Sequence, residues 1–194
     1  MFAKIYKEVM SKLENNLPSW LHYHSPAHTQ YVLDKAIFLA EQEGVDGRDL
    51  FLIKVAALYH DLGFIENMEN HEERGCRMAA QELPEYGLSQ EETSKICDMI
   101  MATRIPQQPN TTLEKVLADA DLEYLGTDKY DEISEQLYKE LLHSRPDLTR
   151  AQWNEIQVKF LCSHSFHTSY CKIHCEAKKA EHLEALREKL TSEK

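Results

Sequence analysis

The spacing of hydrophobic residues along the chain indicates helices almost throughout. Apolar positions recur every three to four residues, and no segment sustains the strict alternation that is typical of a half-buried strand. Helices are predicted over residues 2–16, 26–43, 48–62, 70–82, 89–103, 111–125, 128–143, 149–162 and 167–191. The predicted fold class is therefore all-α, a single-domain helical bundle.

Residues at the predicted helix ends support these boundaries. Ser25 is suited to cap the second helix, and Pro26 occupies its first position. Gly44 and Gly63 are predicted to end the second and third helices, because glycine readily takes the left-handed conformation of a C-terminal cap. The second half of the third helix is apolar nearly all round, so we expect it to be the central buried helix.

Length and composition favour one globular domain. A chain of 194 residues is long enough to bury a core without disulfides or structural metals. Only six glycines and six prolines are present, which argues against a β-sandwich, a collagen-like chain or a disordered tail. No linker divides the sequence, and we expect a single domain over residues 1–194.

The charge balance limits the classes of binding partner, and the cysteines indicate the cellular compartment. The chain has 33 acidic against 22 basic residues, a net charge of −11, which excludes a nucleic-acid polymer or an anionic membrane as its general partner. No apolar run is long enough to span a bilayer, and charges interrupt the N-terminal segment. Five cysteines without a disulfide-framework spacing indicate a reducing compartment, so a cytoplasmic location is predicted.

A histidine and an aspartate, His60 and Asp61, end the most apolar helix of the chain. Buried imidazole and carboxylate groups need partners, and a metal ion would satisfy both at once. The alternative is an exposed helix end at which Asp61 is simply solvated.

Another histidine, His28, lies at the edge of the apolar face of the second helix, one turn before Val32. It is a candidate ligand, and the alternative is a core histidine that hydrogen-bonds a backbone carbonyl. His22 and His24 precede this helix and are interpreted as residues of a polar loop.

Two aspartates on the helix over residues 111–125 are predicted to face opposite ways. At about 100° per residue, Asp121 falls about 50° from the centre of the apolar face and Asp119 about 160° away. Asp121 is therefore predicted to point toward the core and Asp119 toward water. A core-facing carboxylate needs a cation, which would be a metal ion or an internal salt bridge.

Together these residues offer two imidazoles and two carboxylates from three helices. Such a set suits a divalent ion that prefers nitrogen and oxygen ligands. It would leave coordination positions open for water and substrate, as is typical of a catalytic metal. The predicted cofactor is one divalent metal ion, with manganese, iron, cobalt, nickel, zinc and magnesium all open.

Four segments, YHSPAHTQYVL, AALYHDLGF, NHEERG and LADADLEYLG, resemble in this order the HD-domain superfamily of metal-dependent phosphohydrolases. The resemblance covers about residues 20–126. Less specifically, residues 127–194 resemble the helical extension of one bacterial branch of HD phosphohydrolases. The resemblance implies an all-α fold and one metal held by His28, His60, Asp61 and Asp121.

The resemblance also implies residues that handle phosphate. His71 corresponds to a His-Glu pair that lies beside the phosphate or donates a proton; the alternative is a surface residue near a helix start. Family members with two metals carry an Ile-x-x-His pattern, but here Ile100 is followed by Thr103 and Arg104, which favours a mononuclear site. Arg104 is a candidate phosphate clamp, since guanidinium presents paired donors; the alternative is a solvated arginine.

The predicted function is hydrolysis of a small phosphate ester or nucleotide by a metal-activated water, with His71, Asp61 and Arg104 as catalytic residues. The predicted partner is thus a small phosphorylated substrate. One alternative is an HD-fold iron-dependent oxygenase, against which the missing second-metal histidine counts. Another is a non-catalytic metal- or ligand-binding signalling module, against which the intact ligand set counts.

Cysteines and histidines crowd the segment over residues 162–175, whose role stays open. His167, Cys171 and Cys175 share a helical face and could bind zinc, but one straight helix does not surround a tetrahedral ion. Buried thiols and ordinary histidines are the favoured interpretation. The last helix is predicted to be a packing helix, and a homodimer through it stays an open alternative.

Overall fold

The structure of the chain is a computed structural model that describes residues 1–192. Within these residues it contains helices and no strand, which confirms the all-α class. The ten α-helices are α1 Phe2–Asn16, α2 Pro26–Gln42, α3 Gly47–Tyr59, α4 His71–Glu82, α5 Gln90–Ala102, α6 Thr112–Leu122, α7 Tyr130–Ser144, α8 Arg150–Ser163, α9 Ser169–His174 and α10 Glu176–Ser192. Short 3-10 turns over Leu62–Ile65, Leu83–Tyr86 and Glu123–Gly126 follow α3, α4 and α6.

Helix α3 is the centre of the bundle, as its sequence predicts. Its last five residues, Val55 to Tyr59, are fully buried. Helices α1, α2, α5 and α6 all pack against it. Each large apolar side chain removed from water in this way contributes about 1.5–3 kcal/mol, so the apolar run fixes α3 in the interior.

The start of α2 is built as predicted. The Ser25 hydroxyl accepts a hydrogen bond from the backbone N–H of His28 at 3.4 Å, and Pro26 is the first helical residue. Gly44, just beyond the end of α2, has a left-handed φ of +72°. The cap places His28 in the first turn of α2. This end of the helix reaches the centre of the bundle.

The prediction that Gly63 caps α3 is wrong. Helix α3 ends at Tyr59, and Gly63 lies in the following 3-10 turn without a positive φ. A Cβ atom at this position would collide with the carbonyl oxygen of His71 at the start of α4. Glycine is needed here because two backbone segments approach closely, and this approach brings His71 next to Asp61.

The C-terminal helix predicted over residues 167–191 is two helices, α9 and α10, which Cys175 separates. The side chain and backbone of Cys175 lie against Gly126, where no Cβ could fit. Helix α10 packs against α8 and against the turn Glu123–Gly126. The extension is thereby pressed onto the end of α6, the helix that carries Asp121.

None of the described helices combines the length and the apolar composition that a membrane-spanning segment requires.

Candidate metal centre

His60 follows the last residue of α3 and is completely buried. Its Nδ1 atom lies 2.8 Å from the carbonyl oxygen of Ala57. A carbonyl only accepts hydrogen bonds, so Nδ1 carries the proton and donates it. Nε2 is therefore the ring nitrogen whose lone pair can bind a cation in place of a proton, which is the usual arrangement of a histidine metal ligand.

His28 and Asp121 converge on this lone pair from two other helices. The Nε2 atom of His28 lies 3.4 Å from Nε2 of His60 and 3.1 Å from Oδ1 of Asp121. One ligand atom from each of the three residues lies within 4.8 Å of the other two. Two ring nitrogens at this distance need a proton or a cation between them, so the group could hold a metal ion.

Asp61 brings a fourth potential ligand to the same point, although it is not a member of the group formed by His28, His60 and Asp121. Its Oδ2 atom is 3.2 Å from Nε2 of His60 and 3.4 Å from Nε2 of His28. That oxygen is buried and has no hydrogen-bond partner within residues 1–192. A buried carboxylate oxygen without a partner is costly, and a cation would satisfy it. His28, His60, Asp61 and Asp121, which we call the His/Asp cluster, therefore fit a divalent ion.

The electrostatics of the His/Asp cluster come from its own charges. Burial alone would lower the pKa of His60, but the adjacent carboxylates raise it well above its usual range. Burial opposes ionisation of Asp61, yet the neighbouring imidazoles hold its pKa below the usual range. Burial also opposes ionisation of Asp121, but the imidazoles of His28 and His60 outweigh burial and lower its pKa to about 2. The carboxylates stay ionised at neutral pH, and a metal ion would displace the imidazole protons.

Asp119 does not face water, so this prediction is wrong. The residue is fully buried, and its carboxylate accepts hydrogen bonds from the backbone N–H groups of His167 at 2.9 Å and Thr168 at 2.7 Å. The Thr168 hydroxyl donates a third at 2.6 Å. The face of α6 opposite the His/Asp cluster is covered by the extension, so Asp121 faces the cluster and Asp119 holds the extension.

His71, the first residue of α4, lies at the edge of the cluster rather than on a free surface. Its Nε2 atom is 3.6 Å from Oδ1 of Asp61 and 3.6 Å from Oε1 of Glu72. Its ring stacks on Phe64, with the centroids 4.1 Å apart. Its Nδ1 lies 3.2 Å from the carbonyl oxygen of Met68 and donates to it, so Nε2 is the atom that faces the site.

Arg104, two residues after α5, is paired with carboxylates rather than only solvated. Its guanidinium donates to Oε2 of Glu72 at 3.2 Å and also to Glu73. Glu72 is buried, whereas the Glu73 side chain is about half exposed. A phosphate near Arg104 would thus compete with Glu73.

His24 also belongs to this region, which its position before α2 does not indicate. His22 is exposed, as interpreted, but the His24 ring stacks on Phe64, with the centroids 4.1 Å apart. Its Nδ1 lies 2.5 Å from Oε1 of Glu140, a buried residue of α7. Burial lowers the pKa of His24, but the hydrogen bond to Glu140 and the nearby negative charges of Asp61, Glu140 and Asp121 together outweigh burial and raise the pKa. No sequence signal points to this contact, because 116 residues separate the two partners.

A cavity of about 440 Å³ opens beside the His/Asp cluster. The first part of the chain contributes the charged and most of the polar lining residues, namely His24, Asp61, His71, Glu72, Thr103, Arg104 and Asp121. Helices α7 and α8 contribute mainly apolar lining residues, among them Leu137, Leu141, Trp153, Ile156, Phe160 and Leu161. The extension therefore forms a wall of the cavity.

The segment over residues 162–175 contributes no residue to the lining of this cavity. Cys171 and Cys175 are buried, in line with the interpretation of structural thiols. Among the described residues, the one group of histidine, cysteine and acidic side chains with metal-ligand spacing is that of His28, His60 and Asp121. The zinc alternative at His167 finds no support in this geometry.

Comparison with known proteins gives a family match and a fold match. The sequence model of the family described as "HD domain" matches residues 27–123, half of the chain. This range contains every residue of the His/Asp cluster together with His71 and Arg104. Among curated proteins, none matches the sequence significantly.

Two solved structures share the fold. A predicted HD superfamily hydrolase from an uncultured Thermotogales bacterium is 20% identical, with a TM-score of 0.63 over 97% of this chain and 92% of that chain. Bacillus subtilis YpgQ, solved in complex with ADP, is 17% identical, with a TM-score of 0.62 over 99% of this chain and 97% of that chain. Both alignments extend through α7–α10, so the helical extension is part of the shared fold.

Proposed function

Because this chain belongs to the HD-domain family, we propose that it is a metal-dependent phosphohydrolase that cleaves a small phosphate ester or nucleotide. The observation that carries the proposal is the convergence of two imidazole nitrogens and two carboxylates at the wall of a cavity that also contains His71 and Arg104. The buried Oδ2 of Asp61, which has no partner in the described part of the chain, supports a cation at this point.

The proposed ligands of one divalent ion are His28, His60, Asp61 and Asp121. The donors are nitrogen and oxygen atoms, a set that manganese, iron, cobalt, nickel, zinc or magnesium would accept. When bound, such an ion would act as a Lewis acid on a phosphoryl oxygen and would lower the pKa of a water molecule, so that the hydroxide left after loss of a proton could attack phosphorus. Oδ1 of Asp61, which lies 3.6 Å from Nε2 of His71, is the group proposed to orient that water.

His71 is the proposed general acid. Its Nδ1 proton is held by the Met68 carbonyl, so the proton that leaves or arrives is the one on Nε2. Oδ1 of Asp61 and Oε1 of Glu72 both lie 3.6 Å from this Nε2 atom. In this role Nε2 gives its proton to the leaving-group oxygen, so that the departing alkoxide or phosphate does not carry the full negative charge.

Arg104 is the proposed phosphate clamp. Its guanidinium lines the cavity and has five N–H donors, more than its contacts with Glu72 and Glu73 use. Glu72 keeps the guanidinium in position, and the phosphate takes the place of the more exposed Glu73. The clamp stabilises the negative charge that develops on the phosphoryl oxygens.

The substrate proposal includes nucleotides because YpgQ, which shares the fold, was solved with ADP. The proposed location is the cytoplasm, to which the five free thiols of the structure are suited. A homodimer stays an open alternative.

The test is a screen for phosphate release. The protein is stripped of metal, reloaded with each candidate ion and offered nucleotides, cyclic nucleotides and simple phosphate esters. Asp61→Ala is the test variant, and Asp131→Ala, which removes an exposed carboxylate of α7, is the matched control. The proposal predicts metal-dependent turnover that Asp61→Ala abolishes and Asp131→Ala retains.

Two results would contradict the proposed function. Metal binding without turnover on any substrate would favour a binding or signalling module. Two irons per chain together with oxygen uptake would favour an oxygenase.

A further inference from the structure

Two cysteines meet where α4 packs against α5. Cys76 lies in the middle of α4 and Cys97 in the middle of α5, and both are partly exposed. The Sγ atom of Cys76 lies 3.5 Å from the carbonyl oxygen of Cys97, and Sγ of Cys97 lies 3.6 Å from the carbonyl oxygen of Cys76. Each thiol thus lies against the backbone of the other cysteine, although 21 positions separate them along the chain. We call them the α4–α5 cysteine pair.

The packing of the two helices holds this pair in place. Cys76 follows Glu72 by one helical turn, and Glu72 accepts a hydrogen bond from Arg104, beyond the end of α5. The backbone of α4 is fixed beside Cys76, because a Cβ atom at Gly75 would lie 2.6 Å from the carbonyl oxygen of Tyr59. The two thiols are therefore brought together by rigid elements and not by a loop.

Contact between the thiols favours the loss of one proton from the pair. The hydrogen bond from the Cys76 thiol lowers the pKa of Cys97, although burial and the charge of Asp98 act in the opposite direction. The same hydrogen bond raises the pKa of Cys76, and burial adds to this effect. Since the thiolate is the nucleophile of disulfide exchange, Cys97 is suited to react first and Cys76 to react second.

The other three cysteines lack either access or a thiol partner. Cys171 and Cys175 also share a thiol–thiol hydrogen bond, but they are only 0% and 3% exposed, so an oxidant in solution does not reach them. Cys162 is exposed, and its Sγ atom accepts a hydrogen bond from Arg187 at 3.4 Å. An accessible thiol beside a second thiol is the arrangement of a redox-sensitive site, and among the described residues the α4–α5 cysteine pair has it.

We propose that Cys76 and Cys97 are a reversible oxidation site, at which a low-molecular-weight disulfide converts the two thiols into one intramolecular disulfide. The Cys97 thiolate attacks one sulfur of the small disulfide, whose S–S bond breaks and releases a first small thiolate. The Cys76 thiol then loses its proton and attacks Sγ of Cys97, which releases a second small thiolate. The chain loses two electrons and two protons, and the small disulfide is reduced to two thiols.

The disulfide would join α4, which begins with His71, to α5, which leads to Arg104. A cross-link between residues 21 positions apart restricts the unfolded chain, so the oxidised protein should be the more stable form. In a reducing compartment small thiols would reverse the bond, as is usual for redox-sensing disulfides there. The inference uses neither the metal nor a phosphate substrate, so it stands or falls independently of the proposed function.

A map of free and oxidised thiols tests the site directly. The full chain is treated with oxidised glutathione, then unfolded and alkylated, and its peptides are identified by mass spectrometry. Cys76 and Cys97 should appear as one linked pair of peptides, whereas Cys171 and Cys175 should be alkylated. Dithiothreitol should restore alkylation of the linked pair. Cys162→Ser is the matched control, because it removes an exposed thiol and should form the same link.

The Cys76→Ser variant separates the two steps of the reaction. Its hydroxyl can still donate to Cys97, but no second sulfur is present, so glutathione should remain on Cys97 as a stable mixed disulfide. Urea unfolding measures the effect of the bond on stability. Oxidation should raise the urea midpoint of the unaltered chain and of Cys162→Ser by about 1 M, and it should not raise the midpoint of Cys76→Ser.

Three results would overturn the inference. Full alkylation of Cys76 and Cys97 after oxidation would show that the pair does not react. Separate glutathione adducts on both cysteines would show that their sulfurs do not join. A midpoint that does not rise in the linked protein would show that the contact is not shaped for the bond. None of these results bears on the proposed function, because phosphate release is measured with the reduced protein.

Discussion

Two imidazoles near the cavity are oriented in the same way, by the backbone carbonyl three residues earlier. Nδ1 of His60 donates to Ala57, and Nδ1 of His71 donates to Met68. Each hydrogen bond fixes the tautomer of its ring and orients Nε2 toward the site. The two rings differ in what Nε2 faces, since that of His60 meets another imidazole and that of His71 meets carboxylates. His60 is therefore assigned to metal binding and His71 to proton transfer.

His71→Asn tests this division of roles. The variant should lower kcat by a factor of about 10²–10⁴, the usual contribution of a general acid, because the leaving group loses its proton donor. Metal content should not change, since His71 lies outside the group of His28, His60 and Asp121. Parallel measurement of kcat and bound metal checks both statements, with His22→Asn as the exposed control. An unchanged kcat would remove His71 from the mechanism.

His164 should make the stability of the protein depend on pH. Burial, followed by the positive charge of Lys179, lowers the pKa of His164 to about 4 from the usual value of about 6.5. The unfolded chain therefore binds more protons between these values, so this contribution is complete above pH 6.5 and is lost as the pH falls toward 4. The loss is on the order of 2 kcal/mol.

Urea unfolding at pH 7 and at pH 4.5 measures this effect. The decrease in the free energy of unfolding between the two pH values should be smaller in His164→Gln than in the unaltered chain. His174→Gln, at an exposed site of the same segment, should keep the full decrease. Equal decreases in all three proteins would contradict the burial argument.

At the scale of elements, helix α6 explains one wrong prediction. The periodicity of its sequence identifies the face that meets the bundle and correctly directs Asp121 to it, whereas the opposite face, with Asp119, was assigned to water. That face is covered by residues 167–168, which lie 48 and 49 residues further along the chain. Periodicity reports how polar a face is, and it does not distinguish water from a buried backbone that satisfies the same carboxylate.

Asp119→Asn tests the role of this second face. The amide keeps the shape of the side chain but loses the charge that three hydrogen bonds share, so the free energy of unfolding should fall by about 2–3 kcal/mol. The loss appears in urea unfolding followed by circular dichroism. Asp131→Asn, at an exposed site in the first turn of α7, loses only the interaction of its charge with the helix N-terminus and should change stability by less than about 1 kcal/mol. A variant as stable as the unaltered chain would show that Asp119 does not hold the extension.

At the scale of the whole molecule, the sequence predicted the local features and missed the distant ones. The bounds of α1 and the first residue of α2 follow from apolar spacing and capping residues. His28, His60 and Asp121 became candidate ligands because each is a polar residue at the edge or end of an apolar segment. The contact between His24 and Glu140 joins residues that are 116 positions apart, and the wall of α8 meets cavity residues from several distant segments of the chain. Local spacing contains no information about such contacts.

The single domain over residues 1–194 stays a prediction, and the two tryptophans provide its test. Trp20 precedes α2, and Trp153 lies in α8 of the extension. Buried residues of the extension, such as Phe166 and Leu186, join the same hydrophobic cluster as α3. Single-tryptophan variants, Trp20→Phe and Trp153→Phe, should therefore unfold in urea in one transition that fluorescence and circular dichroism report at the same midpoint. Different midpoints for the two fluorescence signals would indicate separate domains.

The central claim is that the His/Asp cluster holds one divalent ion. The most direct measurement is the metal content per chain after stripping and reloading, by mass spectrometry of the metal, for the unaltered chain, Asp121→Ala and Asp131→Ala. We predict one ion in the unaltered chain and in Asp131→Ala, and none in Asp121→Ala. An ion retained by Asp121→Ala, or absent from the unaltered chain, would contradict the account.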